Sequence, residues 1–431
     1  MTLRSLSILL PLSLCLASVF GHESAELPPK LSLDEAQRFL QDNNHSIIAA
    51  KFGVDANRAA RLAATYTPNP TLTVGAEQIK TDRRLRNYAA DNTTASNPTY
   101  TFRIDQPIET AGKKRLRTEV ADMQWLASDA QVLDTLRQQI LQMKQFFYAA
   151  LLARENLKTA KETLESIAHT EDLMTNQAKK GNIPEADVIK FQANKIQYER
   201  DISTSQLSYD QAVRDMVNIL GAKPVESGPI NFEPVGELAA PEVDFSLDEL
   251  RARSAGRTDV LVSKRTLDAA EKSVELACAQ RVGDVTVGGE YQRVGGDNTV
   301  GLVVSVPLPL YNNHKANISQ AESLRNTAFA QFRQAKQQAA TDVDKAYQSF
   351  AANKRIAKLY ATETLNKSKQ SLDIVQKSYD LKAASLLDLL DAQRTYKQTL
   401  LAAHQSRYDL LISLAQLESA AGPEKPKVTA P

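Results

Sequence analysis

The stretch VQKSYDLKAASLLDLLDAQRTY, Val375–Tyr396, decides the fold, because MTNQAKKGNIPEADVIKFQANKI, Met174–Ile196, repeats its plan about 200 residues earlier. Laying Lys382 on Gly181 puts Asp388 on Asp187, Gln393 on Gln192 and Gly422 on Gly221, so one constant offset holds across some forty residues. The openings of the two halves match as well, Ser32-Leu33-Asp34-Glu35 against Ser246-Leu247-Asp248-Glu249, and so do TVGAE from Thr73 and TVGGE from Thr286. Internal repetition at this scale means one structural plan written twice. The repeats span residues 32–221 and 246–422, and a linker at 222–245, broken by Pro224, Pro229, Pro234 and Pro241, joins them.

Working outward from the two tips, each is reached by a long helix and left by another. After DQPIETAGKKR, Asp105–Arg115, no helix breaker comes before Gly181; at ~1.5 Å per residue such a run is a rod of about 100 Å, too long for a compact domain. A second rod of similar length runs from about His314 to Lys382. Beyond Gly181-Asn182-Ile183-Pro184 the chain turns back, with Pro184 in the first turn of the return helix and Glu185 and Asp187 near its N-terminus, where negative charge is favoured. In the other return helix Leu389, Gln393, Tyr396, Leu400, Ala403, Arg407, Leu410, Leu414 and Leu417 step by fours and threes, a coiled-coil seam. A second stripe of small residues, Ala392, Thr399, Ala403, Ser406, Ser413 and Ala420, predicts another close helical neighbour.

Each rod is preceded by a helix and two strands. Ser32 and Glu35 form an S-x-x-E capping box for a helix over Leu33–Thr65, which Pro68-Asn69-Pro70 ends; Ser246 and Glu249 open its counterpart, which runs to about Gln280. Alternation then predicts strands near 71–78 and 99–106, separated by a polar loop, and near 284–293 and 299–306, separated by Gly295-Gly296-Asp297-Asn298. Strands of this length cross a bilayer when tilted, but a barrel in lipid can have no open edge and the smallest have about eight strands. Four strands per chain therefore demand other subunits. Two chains would give about eight strands and three about twelve, and only the larger barrel leaves an aqueous lumen that six rods could continue as a tube. The fold class is mainly α with a membrane β-barrel, and three copies are favoured.

Composition agrees with an envelope protein dominated by helices. The 52 Lys and Arg balance 51 Asp and Glu, which gives no basic face for nucleic acid. Residues 1–21 have the form of a cleaved signal peptide, with Arg4, an apolar run from Leu6 to Phe20 and the small residue Gly21 before His22. Cys15 in that leader raises the alternative of a lipoprotein anchor, although Leu14 precedes it where small residues are wanted; Cys278 is the one other cysteine.

Taken together, S-L-D-E-A from Ser32, Q-P-I-E-x-x-G-K from Gln106, V-P-L-P-L-Y from Val306 and D-L-L-D-A-Q from Asp388 resemble the TolC-like outer-membrane efflux proteins over essentially the whole mature chain. The Q-P and P-L-P junctions look most like the branch serving heavy-metal and cation pumps of the RND type. The resemblance implies a homotrimer with a 12-stranded barrel in outer-membrane lipid and a periplasmic α-barrel. It also implies a periplasmic adaptor protein and an inner-membrane pump as partners. In that family the helix tips form the entrance: Asp388 and Asp391 match its acidic constriction, Asp187 its first-repeat gating aspartate and Tyr379 a tyrosine that holds the tips closed. A lock arginine is replaced here by Ala384. The tips themselves, Gly181, Asn182, Ile183, Pro184, Lys382, Ala383, Ala384 and Ser385, are the expected docking points for the adaptor.

Each of these readings has a plainer alternative. Asp388 and Asp391, three apart on one helix face, would also serve as charges complementing a helix N-terminus opened by Ser385. His22, His45, His169, His314 and His404 lack ligand spacing, and Met143 with Phe146 and Phe147 reads as bundle core. The chain carries no Walker loop, G-x-S-x-G, H-E-x-x-H or glycine-rich cofactor loop, so no cofactor, metal or catalysis is expected and the energy source lies on another protein. A type I protein-secretion outlet would use the same fold, and a structural coiled-coil envelope protein would explain the rods but not the strands.

Overall fold

The computed structural model describes residues 26–79, 98–181, 183–223 and 232–422. The leader with Cys15, the polar loop after Ile79, Asn182, part of the linker and the end of the chain lie outside the described residues. Two helical hairpins dominate. In the first, α3 (Lys113–Lys179) runs 67 residues without interruption and α4 (Glu185–Leu220) returns beside it. In the second, α7 (Lys315–Leu359) passes through one π-helical turn, Tyr360–Thr364, into α8 (Leu365–Asp380), and α9 (Leu386–Ala421) returns. The second rod is thus helical throughout but carries a π-bulge that the first lacks, and Pro184 is the N-cap of α4 rather than a first-turn residue.

The opening helix of each half is broken where one helix was expected. In the first half the Ser32–Glu35 box forms, the Ser32 N–H donating to Glu35 Oε2 at 2.8 Å, but α1 (Leu33–Asn43) ends at Asn44 and α2 (His45–Thr65) starts there. Asn44 Oδ1 accepts from the N–H groups of Ser46 and Ile47 at 2.9 and 3.1 Å, while its Nδ2 donates to the Ile219 carbonyl at 2.7 Å. This side-chain cap satisfies orphan donors that a continuous helix would not have. In the second half α5 (Leu247–Ser254) and α6 (Thr258–Ala279) meet at Arg257, and Ser246 makes no side-chain cap. Arg257, buried, pairs instead with Asp259 and Asp342 at 2.7 and 3.0 Å. Each break receives the glycine that ends its half's return helix, Gly221 against Asn43 and Asn44, Gly422 against Arg257.

Packing makes α3 the central rod. Towards the strands it lies between α2 and α6, and α6 packs on α7; towards the tips it lies between α4 and α9, and α9 packs on α7 and α8. α9 therefore has neighbours in both hairpins, although Leu414 and Leu417 of its seam and Ala420 of its small-residue stripe share one cluster with Val343 and Phe350. Met143, Phe147, Leu151, Met216, Leu220 and Leu40 fill the largest core where the two regions join. There β1 (Lys30–Leu31) pairs in parallel with β4 (Glu233–Pro234), a tie between the start of the chain and its linker that alternation could not reveal in segments of two residues.

The four longer strands are β2 (Thr71–Glu77), β3 (Thr99–Ile108), β5 (Val285–Val294) and β6 (Asp297–Ser305). They form one antiparallel sheet in the order β2-β3-β5-β6. Within one chain the sheet is open, and β2 and β6 are its edges.

Candidate functional site

Register assigns each face of the sheet a chemistry. Leu72 faces Ile104, Val74 faces Phe102, Phe102 faces Tyr291, Tyr291 faces Val300, Gly289 faces Leu302 and Val287 faces Val304. Successive residues point to opposite faces, so all these side chains share one. They are exposed although apolar, Val300 and Leu302 by 84% and 87%, and the Phe102 and Tyr291 rings lie 6.4 Å apart. An apolar patch of this extent requires a covering medium or partner. The opposite face carries Thr73, Thr101, Arg103, Asp105, Glu290, Gln292 and Thr299. Arg103 bonds Asp105 at 2.9 Å and lies 3.9 Å from Glu290. Gly288 stands opposite Asp105, and a Cβ there would fall 2.2 Å from Asp105 Oδ1, so the glycine is what leaves room for that carboxylate. Sequence alternation located the strands but gave no sign of this network, which exists only across register pairs.

At the other end, the two tips turn alike. Gly181 (φ 73°) and Lys382 (φ 61°) hold equivalent left-handed positions, a conformation that costs lysine more than glycine. The Ala383 N–H donates to the Ser378 carbonyl at 2.8 Å and closes the second turn. Tyr379, Phe191, Leu389, Val188, Ile167 and Met174 form one apolar cluster joining both hairpins, with Ile183 and Ala384 packed against it. Burial, then the charges of Asp187 and Asp380, raise the pKa of the Tyr379 hydroxyl.

The second-repeat aspartates have distinct local roles. Asp388 completes a capping box: its Oδ2 accepts from the N–H of Ser385 at 2.9 Å and from its hydroxyl at 2.6 Å. Those two bonds hold its carboxyl below the usual range. Asp391 pairs with Arg394 at 2.8 Å. Both carboxylates are exposed. Among the described residues no group of three His, Cys, Asp or Glu side chains is placed to hold a metal ion, and no helix is long and apolar enough to cross a membrane.

Comparison with known proteins agrees with this geometry. The family model for outer membrane efflux protein matches residues 38–222 and 250–423. A cobalt-zinc-cadmium resistance protein, CzcC of Cupriavidus metallidurans, is 22% identical over 385 residues, covering 88% of this chain and 86% of its own. A membrane protein of Pseudomonas aeruginosa superposes with a TM-score of 0.75 at 19% identity, covering 95% of this chain and 94% of that one. The outer-membrane channel OprN superposes with a TM-score of 0.76 at 18% identity, covering 90% and 89%.

Proposed function

From the premise that this chain belongs to the outer membrane efflux protein family, we propose that it is the exit duct of a three-part export machine, carrying toxic metal cations to the exterior. Its place is the outer membrane, with the helices extending into the periplasm. The observation that carries the duct reading is the two-faced sheet with two free edges. The apolar face meets lipid, the face with Arg103, Asp105 and Glu290 lines water, and the edges β2 and β6 must be paired because bilayer hydrocarbon satisfies no backbone hydrogen bond. One flank of the molecule, β2, α2 and α4, comes wholly from the first repeat; the other, β6, α7 and α8, comes wholly from the second. Unlike flanks join head to tail and close a ring. Three copies give twelve strands.

In this reading the signal peptide at 1–21 directs export, and an RND-type inner-membrane pump supplies energy through a periplasmic adaptor that docks at Gly181–Pro184 and Lys382–Ser385. The passage narrows at Asp388 and Asp391, with Asp187 and Tyr379 bracing it. Cation export is supported by similarity to the cobalt-zinc-cadmium resistance protein and by the Ser385 hydrogen bonds that hold the Asp388 carboxyl below its usual range. The test is a deletion strain challenged with cobalt, zinc and cadmium salts and, in parallel, with toxic organic compounds. Sensitivity to the metals, restored by the gene, is expected; sensitivity confined to organic compounds would overturn the cation reading. Cysteines at Ile183 or Lys382 should crosslink to a co-expressed adaptor, and crosslinks confined to 232–244 would overturn the docking assignment.

A further inference from the structure

We infer that the chain's internal repeat fixes the register of the seam between neighbouring copies, and that Val306–Leu310 is the strand extension that makes this seam. The inference rests on the head-to-tail ring proposed above. Two offsets relate the halves of the sheet. Thr73 maps onto Thr286, an offset of 213 that carries β2 onto β5. Gly112 and His314, the two left-handed N-caps of the rods (φ 69° and 57°), differ by 202 and carry β3 onto β6. The offsets can be checked on the page. Val74 faces Phe102 in the first hairpin; shifted, the pair becomes Val287 facing Val304, which is the pairing observed in the second.

The remaining internal interface is β3 against β5, and its counterpart is β6 of one copy against β2 of the next. Ile104 facing Gly289 becomes Val306 facing Ala76 of the neighbour. Gln106 facing Val287 becomes Leu308 facing Val74, and Ile108 facing Val285 becomes Leu310 facing Leu72. These three derived pairs, at the foot of the seam, put apolar against apolar on the lipid-side face, although no apolarity criterion entered the derivation; further out the same offsets set Val304 against Gln78 of the neighbour, where β2 has already ended. A slip of one residue would send each side chain to the wrong face.

The same register accounts for the exposed apolar side chains that follow β6. β6 ends at Ser305, yet Val306, Leu308 and Leu310 remain apolar and exposed, by 51%, 72% and 75%. β3 continues over the matching residues to Ile108 because β5 lies beside it; β6 stops because its partner is another copy. Pro307 and Pro309 occupy alternate positions, so the N–H groups they lack fall on one side of the strand. The N–H groups of Val306, Leu308 and Leu310 belong to the other side; the Leu310 N–H donates to the Leu308 carbonyl at 2.9 Å in the single chain, a bond the seam exchanges for one to the neighbouring copy. Inside the chain the foot of the interface is anchored by Lys113 to Asp284 at 2.6 Å. The offsets map these residues onto Lys315 and Thr71, so the seam between copies lacks that ion pair and depends on its apolar pairs.

The test uses the full chain in isolated outer membranes, in a Cys278→Ser background, with paired cysteines. Directly opposed residues bring Cβ atoms to roughly 4.5–5.5 Å, whereas a diagonal displaced by two residues sits at about 7–8 Å, beyond the reach of an unstrained disulfide. Ala76→Cys with Val306→Cys, and Val74→Cys with Leu308→Cys, should give covalent oligomers on mild oxidation. Val74→Cys with Val306→Cys should give none. Oligomers from the displaced pair and not from the opposed pairs would overturn the register while leaving the ring intact. No covalent product from any pair, in a protein whose mass in detergent is that of an oligomer, would place the seam elsewhere. A monomeric mass would overturn both this inference and the ring on which it rests.

Discussion

Replacing Gly221 with alanine should damage the protein far more than replacing Gly422, although both end a return helix in the left-handed region, at φ 71° and 78°. An L-residue costs about 1–2 kcal/mol at Gly221, which sits in the left-handed helical well (ψ 21°), and about 1–3 kcal/mol at Gly422, whose ψ of −180° lies in a region that glycine almost alone enters. The surroundings separate them. At Gly221 the new Cβ would lie 2.2 Å from the Asn43 carbonyl oxygen and 2.9 Å from its carbon, so backbone must retreat by about 1 Å to reach van der Waals contact. At Gly422 the nearest atom is Arg257 Cα at 3.3 Å, which needs only a small adjustment. The displaced backbone at Gly221 leads directly into Asn44, the cap of α2, whose amide also holds the Ile219 carbonyl. Loss of the cap costs about 0.5–2 kcal/mol and stranding buried polar groups about 1–3 kcal/mol. Gly221→Ala therefore totals about 2.5–7 kcal/mol against about 1–3 kcal/mol for Gly422→Ala. Each 1.4 kcal/mol is tenfold in an equilibrium, so hydrogen exchange at Ser46 and Ile47 should quicken by one to several orders of magnitude more in Gly221→Ala. Equal exchange in the two variants, or a larger effect at Gly422, would refute the argument from crowding.

On the polar face of the sheet, Gly288→Ala should push Asp105 off Arg103 and lower the sample-heating temperature at which the proposed oligomer dissociates in gel electrophoresis; adding Asp105→Ala removes the clash and should restore most of the loss. At the entrance, Asp388→Ala with Asp391→Ala should reduce cation selectivity and block by multivalent cations in planar bilayers without preventing assembly, and unchanged selectivity would return both residues to purely local roles. Glu171 is tied to Lys195 at 2.9 Å and to Gln192 at 3.0 Å, and the Lys195 bond holds its pKa below the ordinary 4.5. A carboxyl depressed in the folded state contributes stability that is present above its unfolded pKa and lost as pH falls through the folded value. Proteolysis between α3 and α4 should thus quicken below about pH 4.5, and Glu171→Gln should remove that dependence.

What the sequence showed and what it hid follow from the range of the forces involved. The rods were legible because a helix satisfies its own backbone locally, so the absence of glycine and proline from Lys113 to Lys179 suffices to extend it. The strands were legible because alternation is a property of adjacent residues. The break at Asn44 had a local sign, an asparagine in the polar run Asp42-Asn43-Asn44-His45-Ser46, but its partner Ile219 stands 175 residues away and decides the matter. The π-turn at Tyr360–Thr364 has no local sign, since ordinary helical residues fill it. Gln393 shows the limit most clearly. It has the same letter as its repeat counterpart Gln192, which donates to Glu171, but the position corresponding to Glu171 is Leu372. Gln393 is consequently buried with neither amide atom bonded among the described residues. A buried, unbonded amide costs roughly 1–3 kcal/mol, so the second tip is the less stable of two turns that the repeat would otherwise make alike. That difference lies five residues from Asp388, so if the tips form the entrance proposed above, movement there should begin in the second hairpin rather than the first.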